Sequence, residues 1–191
     1  MPLHLIDTRK FEDGRGWFAE TWQRDRWAAW GVTSEFVQDN HSLSRATGTV
    51  RGLHFQTPPH AQAKLVRCVR GAIWDVAVDV RRESPTYGRW QAAGLSADNG
   101  RQLYIPIGFA HGFVTLEPDT EVIYKVSDFY MPECDGGLRW NDPALALPWP
   151  LPANGATLSE KDAVLPLLAD FDSPFDYDGA PLRPLRADAA R

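Results

Sequence analysis

The feature that most constrains the fold is a strict two-residue alternation over residues 72–80. Apolar Trp74, Val76, Val78 and Val80 alternate there with Ile73, Asp75, Ala77 and Asp79. Because successive side chains of a strand point to opposite faces, this pattern predicts a half-buried β-strand. Other short runs rich in Val, Ile, Phe, Trp and Tyr predict further strands at 65–69, 88–95, 102–105, 108–115 and 121–126. The last two flank a polar turn at 117–119, which is typical of antiparallel β structure.

Helix signals are sparse, so we predict an all-β fold whose sheet is closed or doubled. Residues 21–30 and 158–169 are the two predicted helices, the second capped by Ser159. Residues 143–152 contain too many prolines for a central strand or a helix. We expect a single domain over 1–173 and an extended or disordered tail over 174–191. Most of the 8 tryptophans and 9 phenylalanines are expected to fill the barrel interior or its mouth.

Composition narrows the classes of function. The chain has 191 residues, of which 43% are hydrophobic and 24% charged, as in an ordinary globular protein. Its net charge of −5 provides no excess of cations for a nucleic acid or an anionic membrane, so neither is an expected partner. Residues 1–10 lack an apolar signal region, and Cys68 and Cys134 form no CxxC pair. We therefore expect a cytoplasmic protein.

The informative residues are polar side chains within apolar strand sequence, because a buried charge or imidazole must be paired or used. His54 lies between Leu53 and Phe55, and His111 lies in a similar setting. A histidine of this kind, taken alone, is more often structural than catalytic. Lys64 must either extend to solvent or pair inside. Arg15 and Arg51 each adjoin a glycine, which permits the close approach that a phosphate requires, although such arginines are usually surface cations.

Several other chemistries lack their sequence signatures. The 5 histidines include no His-x-His pair, so a metal site inside a β-barrel is disfavoured and we expect no metal. The chain also lacks GxGxxG, GxxxxGK[ST] and GxSxG motifs, which disfavours dinucleotide binding, P-loop phosphoryl transfer and serine hydrolysis. Acid–base catalysis without a cofactor remains.

Six short runs are informative together: RGLHFQ at 51–56, AKLVRCVRG at 63–71, DVAVDVR at 75–81, SPTYG at 84–88, FAHGF at 109–113 and LSEKD at 158–162. In this order they resemble the dTDP-4-dehydrorhamnose 3,5-epimerase family. The similarity extends from about residue 11 to about residue 166. It implies a cupin-type β jelly roll, or double-stranded β-helix, with a few short peripheral helices. It also implies a homodimer in which the partner's N-terminal segment helps to complete the substrate site.

The resemblance implies a cofactor-independent isomerase acting on a dTDP-4-keto-6-deoxyhexose. The C4 carbonyl of such a sugar acidifies the protons at C3 and C5, so that a base can remove either one. By resemblance His54 is that base, Asp162 pairs with it, Lys64 stabilises the enolate, and Tyr124 returns a proton from the opposite face. The implied reaction converts dTDP-4-dehydro-6-deoxy-D-glucose to dTDP-4-dehydro-L-rhamnose, in the biosynthesis of dTDP-L-rhamnose for cell-surface polysaccharide.

The resemblance also implies a set of binding residues. Arg51 and Arg15 are expected to hold the pyrophosphate, with Arg15 reaching across from the second subunit. The positions expected near the sugar and the nucleotide are Phe18, Glu20, Gln38, Asn40 and His111. Paired tyrosines often stand near the nucleotide in this family, where this chain has Phe129 and Tyr130. Phe129 keeps a stacking face but lacks the hydroxyl.

Three alternatives remain open. A related epimerase inverts a single carbon or uses another nucleotide sugar, and the position of deuterium uptake separates these cases. A non-catalytic cupin-type sugar-binding module has no need for His54, Asp162, Lys64 and Tyr124 together. A metal-dependent cupin oxygenase or isomerase is disfavoured by the missing ligand pair, and metal analysis of active, chelator-treated protein would test it.

Overall fold

The computed structural model describes residues 2–189, which form two packed β-sheets with little helix. The strands are β1 His4–Asp7, β2 Phe11–Asp13, β3 Gly16–Phe18, β4 Gln38–Ser44, β5 Val50–Gln56, β6 Lys64–Arg70, β7 Ala72–Asp79, β8 Trp90–Ser96, β9 Arg101–Ile105, β10 Phe109–Thr115, β11 Thr120–Val126, β12 Asp135–Gly137 and β13 Ala187–Ala189. The helices are α1 Arg24–Ala28 and α2 Glu160–Ala163, with 3₁₀ turns at Pro132–Cys134 and Leu168–Asp170.

The two main sheets are almost entirely antiparallel. One has the strand order β13-β1-β9-β6-β11-β4, and the other has the order β12-β5-β10-β7-β8. The single parallel pair among the described strands is β1 with β13. Strands β2 and β3 form a separate hairpin. This arrangement is the all-β, double-sheet architecture expected from the sequence.

The six strands predicted from residue patterns are confirmed, as β6 to β11. The polar turn between β10 and β11 is confirmed as well, and Asp119 adopts φ of 49° there, a left-handed conformation that Asp tolerates. Residues 143–152 form neither helix nor strand, as predicted from their prolines. The pattern analysis did not identify the N-terminal strands β1 to β5.

The prediction that residues 72–80 are half-buried is wrong. Asp75, Ala77 and Asp79 on one face and Val76, Val78 and Val80 on the other are all fully buried. The outer face of β7 is covered by the C-terminal part of the chain, where Leu138, Leu145 and Phe175 pack against Val76, Val78 and Val80. Alternation reports which side chains share a face, and it does not report whether a further layer covers that face.

The apolar residues divide into three layers. The cluster between the sheets contains Phe109 and Phe113 together with aliphatic residues such as Val66, Leu103 and Ile73. Trp27 belongs to a second cluster, with Trp22 and Trp30 packed against it, and Trp74, Trp90 and Trp149 pack against the third. The expectation that most tryptophans fill the barrel interior or mouth is therefore wrong for these six, because they pack the outer faces of the sheets.

Both helices are shorter than predicted. Helix α1 covers five residues of the predicted 21–30. Helix α2 begins after Ser159, whose hydroxyl accepts a hydrogen bond from the Asp162 amide as the predicted N-cap, but it ends at Ala163 rather than at residue 169. Pro166 explains the early end, because a proline disfavours helical geometry at the preceding residue and lacks the amide that a helix interior needs.

Residues 174–189 are extended and contact the domain at several points. Phe175 is 3% exposed within the outer apolar cluster, and Asp178 pairs with buried Arg81. The backbone of β13 then pairs with β1. Residues 190 and 191 of the predicted tail lie outside the described residues. No helix in 2–189 is long and apolar enough to cross a bilayer.

Candidate active site

A cleft in the β-sandwich contains most of the predicted site residues. It has two adjoining lobes of about 400 and 200 Å³. His54, Lys64, Tyr124 and Lys161 line both lobes and therefore mark their junction. Arg51, His111 and Asp162 line the larger lobe, and Gln38, Asn40 and Tyr130 line the smaller one.

The pairing of β5 with β10 sets His54 opposite His111. The two strands come very close at Gly52 and Gly112, where a Cβ added to Gly52 would lie 2.6 Å from the Gly112 Cα. Gly52 also has φ of 129°, which side-chain-bearing residues rarely adopt. The RGLH and AHG runs thus contain the glycines that allow the two paired, histidine-bearing strands to approach each other closely.

His54 is hydrogen-bonded to Asp162. Its Nε2 lies 2.7 Å from Oδ1 of Asp162, which α2 carries to the cleft. The imidazole is 31% exposed and reachable from the cleft, whereas the carboxylate is only 5% exposed. Burial alone would raise the pKa of Asp162, but hydrogen bonds and charge from His54, with the Gly52 amide and Ser159, hold it below its ordinary value. The carboxylate is thereby kept ionised beside the ring.

Lys64 is a buried ammonium at the centre of the cleft. Its Nζ donates a 3.3 Å hydrogen bond to the backbone carbonyl of His54. Burial lowers its pKa from 10.5 to about 8, a shift that the charges of Asp135 and Asp75 partly oppose. Lys64 is therefore mostly cationic at neutral pH and lies next to the imidazole-bearing strand.

His111 forms a second histidine–carboxylate pair, with Asp75 of β7. Its Nε2 lies 3.0 and 3.1 Å from the two carboxylate oxygens, and both residues are buried. Burial lowers the pKa of His111 despite the opposing effect of Asp75. The ring is therefore mostly neutral at pH 7, and Asp75 holds its orientation.

Tyr124 approaches the junction from the other sheet. It lies on β11 between Asn40 of β4 and Val66 of β6. Burial raises the pKa of its phenol, although the nearby charge of Arg51 acts in the opposite direction. The phenol is thus protonated at neutral pH and is available as a hydrogen-bond or proton donor.

Three charged residues of the site were not among the site residues predicted from the sequence: Asp75, Asp135 and Lys161. Asp135 accepts hydrogen bonds from the Tyr130 hydroxyl, at 3.1 Å, and from Lys161. Lys161 stands one position before Asp162, so its place in the LSEKD run was a usable signal. Asp75 was visible as a charge within an apolar strand. Asp135 follows the 3₁₀ turn and carried no comparable signal.

Four predicted binding residues lie away from both lobes within this chain. Arg15 and Phe18 belong to the β2–β3 hairpin, where the Arg15 side chain is 91% exposed and pairs with Asp13. Glu20 pairs with Arg26. Phe129 has an exposed side chain, and its backbone carbonyl accepts a hydrogen bond from Gln56. Within residues 2–189, no group of three or more His, Cys, Asp or Glu is arranged to hold a metal ion.

Comparison with known proteins assigns the family. The family model of dTDP-4-dehydrorhamnose 3,5-epimerase matches residues 2–170. This chain belongs to that family. The epimerase of Sinorhizobium fredii is 54% identical over 176 residues, which cover 92% of this chain and 89% of the relative.

Two solved epimerase structures share the fold. The dTDP-6-deoxy-D-glucose-3,5-epimerase of Legionella pneumophila, in complex with dTDP-4-keto-L-rhamnose, matches with a TM-score of 0.88 and 42% identity, covering 93% of this chain and 94% of the other. The dTDP-4-dehydrorhamnose 3,5-epimerase of Bacillus anthracis, with TDP and pyrophosphate bound, matches with a TM-score of 0.84 and 51% identity, covering 86% and 93%. The cupin-type jelly roll implied by the sequence resemblance is confirmed.

Proposed function

We propose that this chain converts dTDP-4-dehydro-6-deoxy-D-glucose to dTDP-4-dehydro-L-rhamnose by inverting C3 and C5. The observation that carries the proposal is the His54–Asp162 pair, which shares one cleft with Lys64 and Tyr124. A base, an anion-stabilising cation and a phenolic acid are the groups that epimerisation beside a carbonyl requires. The activities named for the S. fredii, L. pneumophila and B. anthracis relatives support the same reaction.

His54 begins the reaction by removing a proton from C3 or C5. Because Nε2 is hydrogen-bonded to Asp162, the proton removed from the sugar carbon goes to Nδ1. Asp162 fixes the tautomer that leaves Nδ1 unprotonated, and its negative charge stabilises the imidazolium that forms. The electron pair of the broken C–H bond moves into a carbon–carbon double bond, and the C4 oxygen becomes an enolate.

Lys64 stabilises that enolate. A cation in a site of low dielectric interacts far more strongly with a developing oxyanion than it would in water. Lys64 is buried and already ordered by its bond to the His54 carbonyl, so little reorganisation is needed when the charge develops. His111 is held neutral and oriented by Asp75, to which Nε2–H donates, so Nδ1 is left as an acceptor for a hydroxyl of the sugar.

Tyr124 completes the inversion by donating its phenolic proton to the same carbon from the other face. It lies on the opposite sheet from His54, so the base and the acid approach the sugar from two sides. The tyrosinate then takes a proton from solvent and the imidazolium releases one. The same pair acts on C3 and on C5 after the sugar ring presents each carbon in turn.

The nucleotide end of the substrate is assigned to Arg51, Gln38, Asn40 and Tyr130. Arg51 binds the pyrophosphate by charge-assisted hydrogen bonds, and the Tyr130 ring stacks on the base. Arg15, Phe18 and Glu20 are assigned to the site of a second copy of the chain in a cytoplasmic homodimer. The exposure of Arg15 and Phe18 on a hairpin outside the cleft supports this assignment. Phe129 is assigned to the rim beside Tyr130.

Hydrogen exchange tests this function and separates it from the alternatives. The substrate is incubated with the protein in heavy water, and the sugar is examined by NMR. Uptake of deuterium at both C3 and C5, with formation of the L-rhamno product, is expected. Labelling of one carbon alone would instead indicate a single-site epimerase. The absence of exchange at both carbons would refute catalysis and leave a binding module.

A further inference from the structure

Arg51 is tied to strand β4 through one edge of its guanidinium group. Its Nε donates a 3.0 Å hydrogen bond to the Ser44 hydroxyl, and its Nη2 donates a 3.1 Å bond to the Leu43 carbonyl. The Nε–H and one Nη2–H form the side fork of the group, so both directions of that fork are used by β4. Within residues 2–189, Nη1 has no hydrogen-bond partner, and the end fork of Nη1 and Nη2 is left for a ligand.

Ser44 is well placed to fix this orientation. It is 4% exposed and ends β4, and its Cα pairs with that of Thr120 on β11. The backbone that carries its hydroxyl is therefore held in place by the sheet. Arg51 lies seven residues later on β5 and lines the cleft. A guanidinium carried by a flexible stem loses conformational freedom on binding unless another group has already ordered it.

We propose that Ser44 is a positioning residue that holds the Arg51 guanidinium with its end fork turned toward the substrate pyrophosphate. The inference rests on the proposed function, in which Arg51 binds that group. Ser44 itself does not need to touch the substrate. Its contribution is to order Arg51 before the substrate binds. It therefore strengthens the binding of the substrate in the ground state and in the transition state equally. Such uniform binding changes KM and leaves kcat nearly unchanged.

A double-mutant cycle with thymidine diphosphate as the probe tests this role. Calorimetry measures the dissociation constant for wild type, Ser44→Ala, Arg51→Ala and the double variant. Ser44→Ala is expected to weaken binding about threefold to tenfold in the wild-type background, as for one ordered side chain set free. In the Arg51→Ala background the same change is expected to have no effect, because the group that Ser44 orders is gone.

Conservative variants separate the effect of the hydrogen bond on binding from the effect of side-chain volume. Ser44→Thr keeps the acceptor oxygen and is expected to bind like wild type, whereas Ser44→Cys keeps the approximate size but is a weak acceptor and is expected to bind like Ser44→Ala. Turnover should show a raised KM with kcat within about twofold of wild type. Ser44→Cys also serves if Ser44→Ala does not fold.

Two results would overturn the inference while leaving the proposed function intact. One is tight binding by Ser44→Ala when Arg51→Ala binds weakly. The other is an equal loss from Ser44→Ala in both backgrounds, which would mean that the serine acts elsewhere. If wild-type protein bound no thymidine diphosphate and exchanged no substrate hydrogens, the proposed function itself would fail, and the inference with it.

Discussion

Nε2 of His54 lies 2.7 Å from Oδ1 of Asp162, although 108 positions separate the two residues in the chain. Asp162→Asn should therefore lower kcat by about 10²-fold to 10⁴-fold, because the amide cannot stabilise the imidazolium. Rates of C3 and C5 exchange in heavy water measure the loss. Asp170→Asn makes the same change at an exposed carboxylate eight positions later in the chain, so it is the matched control and should exchange at the wild-type rate. Equal rates for the two variants would contradict the role of Asp162.

The buried ammonium of Lys64 sets the alkaline limit of activity. Its pKa of about 8 means that the protonated form, which stabilises the enolate, is lost as the pH rises through 8 rather than through 10.5. We expect kcat/KM to fall above pH 8. The fall in kcat should occur at higher pH, because the bound anionic substrate favours the protonated form of Lys64 and so raises its pKa. A flat kcat/KM profile up to pH 10 would argue against this role.

The same burial makes Lys64 a source of instability. Below pH 8 the folded protein carries the full cost of a buried charge, and that cost diminishes as the pH rises from 8 toward 10.5. Lys64→Met should therefore increase the free energy of unfolding at pH 7, by up to roughly 3 kcal/mol, while abolishing most activity. Urea titrations at pH 7 and pH 10 measure the difference. A variant less stable than wild type at pH 7 would contradict the assignment.

A substitution at Tyr124 should separate proton removal from proton return. Tyr124→Phe keeps the ring but removes the acid, so deuterium from heavy water should still enter the starting sugar through His54 while the inverted product falls by about 10²-fold or more. NMR detects the exchange, and chromatography quantifies the product. Tyr87→Phe, far from the cleft on the loop before β8, is the control. Loss of exchange and product to the same extent would mean that Tyr124 does not act as the separate acid.

Arg15 is expected to act in the site of the other subunit. Arg15→Ala and His54→Ala chains should each be nearly inactive alone, because one lacks the arginine and the other lacks the base. When the two are co-refolded, a mixed dimer has one site with His54 from one chain and Arg15 from the other, and activity should return to about a quarter of wild type. If light scattering showed dimers but no activity returned, Arg15 would act in the site of its own chain or would have no role in the reaction.

Much of the fold could be predicted from local pattern. Strands β6 to β11 followed from apolar runs and turn residues, because strand periodicity and turn chemistry are properties of neighbouring residues. Pro166 is also a sequence signal for the end of α2 at Ala163. The burial of both faces of β7 could not be predicted in this way, because residues 138–175 cover Val76, Val78 and Val80, and the face that carries Asp75 and Asp79 is turned toward the other sheet.

The sequence by itself determined the chemical groups available to this protein: a histidine, a lysine, a tyrosine and a carboxylate in recognisable runs, and glycines at 52 and 112 that allow two paired strands to approach closely. Only the tertiary structure decided how these groups combine. It brought Asp162 to His54 and Asp75 to His111, added Asp135 and Lys161 to the site, and left the β2–β3 hairpin outside it. The physical reason is that strand pairing and layer packing join residues distant in the chain, and local periodicity carries no record of those contacts.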